Sequence, residues 1–84
     1  MIAEKEIDRT AVGNKIKSFR ERKGVLQKDM AEAIGVTAMA VSQWERGERM
    51  PNDSLKVTIA AYFGTTVSDI FFTHDVIKSS TALE

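Results

Sequence analysis

Residues 27–46 read Q-K-D-M-A-E-A-I-G-V-T-A-M-A-V-S-Q-W-E-R, and Gly47 follows. Ala31 and Ile34 recur at helical spacing with Met30 beside them, and Val41 and Trp44 do the same further on, so each run has one apolar face. Gly35 falls just after the last apolar residue of the first run, where a chain leaving a helix takes positive φ. Thr37, two residues later, is a good N-cap for the second run. The stretch therefore predicts two short helices, roughly 27–34 and 38–46, crossing steeply about a tight turn. Ala31 is small enough to let the second helix pass close over the first.

The flanks supply matching helices. On the N-terminal side, Val12, Ile16 and Phe19 make an apolar stripe that predicts a helix from about Thr10 to Lys23, ended by Gly24. On the C-terminal side, Pro51 breaks the chain and Asn52 can cap a helix in which Leu55, Ile59, Tyr62 and Phe63 share a face up to Gly64. Thr66-x-x-Asp69 looks like a capping box opening a short fifth helix that carries Ile70, Phe71 and Phe72. The expected fold is all-α, a compact five-helix domain over residues 10–73. Residues 1–9 are read as a flexible arm and residues 74–84 as a tail associated with dimer formation.

Bulk properties narrow the function. Eighty-four residues with 43% apolar and 29% charged side chains fit one small globular domain. With no cysteine and one histidine, His74, the chain offers neither a disulfide nor a metal-ligand set. No apolar run is long enough for a membrane span and the N-terminus lacks a signal-peptide core, so a cytoplasmic location is expected. The formal net charge is zero, but residues 14–51 hold eight positive and five negative side chains between mildly acidic ends. That middle surplus is a weak electrostatic footprint for nucleic acid. No carboxylate pair with a plausible pocket appears, and so small a helical domain has little room for a cleft, so an enzyme is not expected and no cofactor is implied.

Gln27, Ala31, Gly35, Val41, the run V-S-Q-W-E-R-G from Val41 to Gly47, and Pro51 stand in an order that resembles the Cro and phage-repressor helix-turn-helix family, the Xre-type regulators. The resemblance covers about Val12 to Phe72. It implies a lambda-repressor-like helix-turn-helix domain whose third helix enters the major groove. It also implies an ion pair between Arg20 and Glu45 that fixes the first helix to the third, and a phosphate contact for Gln27. Three positions depart from the pattern. Leu26 stands where an N-capping Thr or Ser is usual, and is expected either to leave the second helix uncapped or to pack inward. Met39 replaces the common Gln or Arg, and Glu48 replaces a residue that is often basic.

The outer side of the third helix carries Thr37, Ala38, Met39, Ser42 and Gln43, short or uncharged side chains suited to a groove. Gln43 can bond an adenine edge in two places, Ala38 and Met39 can touch thymine methyls, and Thr37 and Ser42 can reach base or phosphate. Lys28, Arg46 and Arg49 are candidate phosphate contacts, with Lys28 and Arg49 alternatively solvated surface residues. Trp44 is read as a core anchor. Phe71 and Phe72 are adjacent and cannot both face inward, so with Val76 and Ile77 they are candidate dimer contacts.

The expected function is a sequence-specific DNA-binding regulator of transcription, a repressor that binds a near-palindromic operator as a homodimer. The alternative is a protein-interaction module or antitoxin of the same fold, which would act by binding a protein partner or antagonist.

Overall fold

Asp8 begins the helical part of the chain. Its backbone is extended, and its carboxylate accepts hydrogen bonds from the backbone N–H of Thr10 (3.0 Å) and Ala11 (3.2 Å), satisfying two of the free donors at a helix start. Helix α1 then runs Arg9–Lys23, one residue earlier than the apolar stripe alone indicates. In the computed structural model, which describes residues 5–73 and 77–79, four more helices follow: α2 Gln27–Ile34, α3 Ala38–Glu45, α4 Asp53–Tyr62 and α5 Val67–Phe71. None of these described helices is long and apolar enough to cross a membrane.

Local chemistry sets each boundary. Gly35 closes α2 at φ +79°, a left-handed conformation in which its N–H reaches the Ala31 carbonyl. Thr37 opens α3, its hydroxyl oxygen accepting from the Ala40 N–H at 3.1 Å. Asn52 opens α4 by accepting from the Leu55 N–H at 2.9 Å. Thr66 opens α5 by accepting from the Asp69 N–H, while the Asp69 carboxylate accepts the Thr65 hydroxyl.

Helix α2 lacks such a side-chain cap. Leu26 has the extended backbone of an N-cap but nothing to offer the Asp29 N–H, and its side chain is 60% exposed, so it does not pack inward. The buried positions of this segment are taken by Met30 and Ala31. Asp29 partly compensates by accepting from the Leu26 N–H at 3.1 Å, which supplies one half of a capping box.

The core is assembled from all five helices: Val12 and Ile16, Met30 and Ala31, Val41 and Trp44, Ile59 and Ala60, Ile70 and Phe71. Each fully buried Ile or Phe among them contributes roughly 1.5–3 kcal/mol through the area it removes from water. Phe19 stacks on Phe63 at 5.4 Å at the edge of this cluster. Of the aromatic pair at the end of α5, Phe71 is completely buried and Phe72 is 47% exposed. Phe71 therefore belongs to the core and has no surface to offer a dimer contact, a correction to the reading of both rings as candidates. The last side chain of α5 is buried under the bundle, and the C-cap residue that follows is half exposed.

Two short strands accompany the helices. Lys5–Ile7 (β1) pairs antiparallel with Ile77–Ser79 (β2), with Ile7 opposite Ile77 and Lys5 opposite Ser79. They fall in the stretches read as arm and tail. Three residues are too few to show an alternating pattern, and the partners come from opposite ends of the chain. Ile77, a dimer-contact candidate, lies in β2, whereas Val76 and His74 lie outside the described residues.

Candidate nucleic-acid interface

The third helix is held in place by a polar junction of three helices. Glu45, in the last turn of α3, is buried to 4% side-chain exposure. Arg20 of α1 donates Nε to Oε2 at 2.6 Å and Nη2 to Oε1 at 3.1 Å, and Gln27 at the start of α2 donates its amide to Oε1 at 3.0 Å. Arg20 uses its remaining arm on the Val25 carbonyl at 2.8 Å. The bond to Glu45 outweighs burial and raises the Arg20 pKa further above its ordinary value. A carboxylate with this many donors loses little by leaving water. Because Glu45 can only accept, it also fixes which end of the Gln27 amide faces it, and leaves one amide N–H uncommitted.

Gly13 makes the same junction possible. A Cβ there would lie 2.4 Å from the Trp44 carbonyl oxygen and 2.6 Å from that of Glu45. Helix α1 thus approaches the end of α3 more closely than any side chain permits.

With its inner face so fixed, α3 presents Thr37, Ala38 and Met39 as exposed residues and Ser42 and Gln43 as half-buried ones. Met39 is 68% exposed, the highest value among the large apolar side chains described. Thr37, Met39 and Gln43 line an open groove of about 470 Å³ whose far wall is the loop and first turn leading into α4. Arg49 and Asn52 come from that segment, and Trp44, Met50, Pro51 and Leu55 are apolar members of the lining. The structure therefore gathers three base-contact candidates and one phosphate candidate around a single groove. Asn52 was legible only as a helix cap. Its carbonyl oxygen is used for capping, and its amide N–H groups have no hydrogen-bond partner among the described residues; Arg49 lines the same groove.

Lys28 is exposed at the start of α2, next to Gln27. Arg46, by contrast, is engaged. Its Nε and Nη2 donate to the two oxygens of Glu48 at 2.8 and 3.0 Å, and Nη1 donates to the Ser42 hydroxyl oxygen. This pairing raises the Arg46 pKa and lowers that of Glu48. Arg46 follows the last residue of α3 as its C-cap instead of forming its final helical turn. Among the described residues, no group of three or more His, Cys, Asp or Glu side chains is placed to hold a metal ion.

Residues 16–70 match the helix-turn-helix family. The chain is 34% identical over 62 residues to an uncharacterised HTH-type transcriptional regulator of Methanocaldococcus jannaschii, covering 74% of this chain and 94% of that protein. Its fold is similar to that of the clp gene regulator ClgR from Corynebacterium glutamicum, with a TM-score of 0.71, 32% identity, and coverage of 81% of this chain and 87% of that one. It is also similar to the P22 c2 repressor in complex with a synthetic operator, with a TM-score of 0.68, 25% identity, and coverage of 70% and 89%.

Proposed function

The chain belongs to the helix-turn-helix family of Cro-like, Xre-type transcriptional regulators, and on that premise we propose that it is a sequence-specific repressor that binds a near-palindromic operator as a homodimer. Helix α3 lies in the major groove. Gln43 reads an adenine edge, and Ala38 and Met39 contact thymine methyls, with Thr37 and Ser42 beside them. Gln27, Lys28, Arg49 and Asn52 bind the phosphates on either side, positioning the helix without reading sequence. Two copies set their α3 helices in successive major grooves about 34 Å apart, and occupancy excludes polymerase from an overlapping promoter. Phe72, exposed at the end of α5, supports association of two copies through that end of the bundle.

The observation that carries this reading is the surface of α3. A solvated helix face is normally rich in Lys and Glu, yet α3 exposes Thr37, Ala38 and Met39 along a groove flanked by Arg49. The P22 c2 repressor, in complex with a synthetic operator, has a similar fold. The test is selection of sites from random duplex DNA at a fixed salt concentration. Enrichment of an inverted repeat with half-sites one helical turn apart is the expected result. Enrichment of a single half-site would remove the dimer and keep the reader. Failure to enrich any sequence would transfer the proposal to a module that acts on a protein partner.

A further inference from the structure

Arg46 is the one cation at the end of α3, and it is not free to meet DNA. Its guanidinium holds the Glu48 carboxylate in a two-bond fork, the geometry with which arginine grips a phosphate. A third bond runs to Ser42, so both ends of the planar group are spoken for. The backbone places Glu48 there: after the left-handed Gly47, the Glu48 N–H returns to the Gln43 carbonyl at 2.9 Å, setting its side chain beside Arg46. Both members of the pair are about half exposed, at 54% and 52%. The pair can thus open without disturbing any packing.

We propose that Glu48 determines specificity by occupying Arg46 as an internal substitute for phosphate, so that DNA gains the Arg46 contact only by displacing it. The inference rests on α3 being the DNA-reading helix. An Arg–phosphate contact strengthens binding to every sequence alike. A paired Arg46 contributes nothing to random DNA unless Glu48 is released, and Glu48 itself repels the backbone. Both effects lower sequence-independent affinity. On the correct operator, the base contacts of Gln43 and its neighbours hold α3 deep enough for phosphate to compete for Arg46. The ratio of specific to random binding rises as a result.

The test compares the full chain with Glu48→Gln, Arg46→Ala and the double variant. Each is titrated against a random-sequence duplex and against the duplex enriched by selection, over a range of salt. Glu48→Gln should bind random duplex roughly 3- to 10-fold more tightly at moderate salt, and its dependence of log K on log salt should steepen by about one. Its gain on the enriched duplex should be smaller. In the Arg46→Ala background the Glu48→Gln gain should be clearly smaller, because the freed cation is absent and only the relief of Glu48's own repulsion remains. A gain of the same size in that background would mean that Glu48 acts by simple repulsion and would overturn the inference. So would binding by wild type with no gain in Glu48→Gln. If no variant, wild type included, binds either duplex at low salt, the DNA-reading assignment itself falls and takes this inference with it.

Discussion

Arg20 and Glu45, on helices α1 and α3, face each other with two parallel hydrogen bonds of 2.6 and 3.1 Å while their side chains are 11% and 4% exposed. The pair is buried, whereas Thr37, Ala38 and Met39 of the proposed reading face are exposed. Removing one partner leaves the other charged, desolvated and unpaired, which costs far more than the intact pair contributes. Glu45→Ala should therefore lower unfolding free energy by about 3 kcal/mol and the Tm by more than about 10 °C. Relative affinities for different sequences should change much less. A melting temperature equal to wild type would show that Glu45 does not hold α3.

Gly13→Ala should also destabilise the chain, against the ordinary preference of helices for alanine. In an exposed helix interior the change would gain about 1 kcal/mol. Here the added methyl meets the Trp44 and Glu45 carbonyl oxygens at 2.4 and 2.6 Å, and those are backbone atoms that cannot rotate away. The helices must separate, at a net loss of about 2–3 kcal/mol. Urea denaturation measures the difference, and a variant as stable as wild type would mean that α1 and α3 are less tightly apposed.

The converse holds at Leu26, where the chain should be easy to improve. Its backbone already has N-cap geometry, and its side chain is largely exposed, so replacing it forfeits little burial. Leu26→Thr supplies a hydroxyl oxygen for the Asp29 N–H and completes the capping box whose other half is present. Stability should rise by about 1 kcal/mol. A loss of stability in the same urea titration would place Leu26 in a contact that its exposure does not reveal.

These three cases show where the sequence was legible. Gly35, Thr37 and the Val41–Trp44 spacing act within a turn or two of the chain, so the two central helices and their corner could be read from neighbours in sequence. The groove beside α3 could not, because Asn52 and Arg49 reach it from another segment. Nor could the β1–β2 pairing, whose partners lie at opposite ends of the chain. Gly13 carries no signal of its own in the sequence, since its reason is the backbone of α3 crossing it. Phe71 and Phe72 had the same chemistry and adjacent places, and only the packing of α5 decides which ring is buried.

Acid should weaken the start of α5 by a route that mutation can isolate. Hydrogen bonds, chiefly from the Thr65 hydroxyl and then from Thr66, hold the Asp69 pKa below its ordinary value. A carboxylate whose folded pKa is depressed stabilises the fold above its unfolded pKa, and that contribution is lost as pH falls through the folded one. Asp69→Asn keeps the acceptor oxygen and removes the charge. It should be less stable than wild type at neutral pH, and the difference should shrink as pH drops below the usual Asp range. A difference constant with pH would assign the effect to lost shape or bonding instead of charge.

The sharpest prediction concerns Gln43. It is half-buried on the groove side of α3, one residue before the core anchor Trp44, so its amide is confined to a narrow range of positions. A confined amide can satisfy both edges of one adenine and cannot easily adapt to another base. Gln43→Ala should thus cost about 1–3 kcal/mol on the preferred duplex and relax the preference at a single base pair in each half-site. Affinity for random duplex and its salt dependence should remain close to wild type, because no phosphate contact is removed. Repeating the site selection with the variant measures both effects. A uniform loss on every sequence would make Gln43 a supporting residue of the groove, and the reading of bases would then pass to Ala38 and Met39.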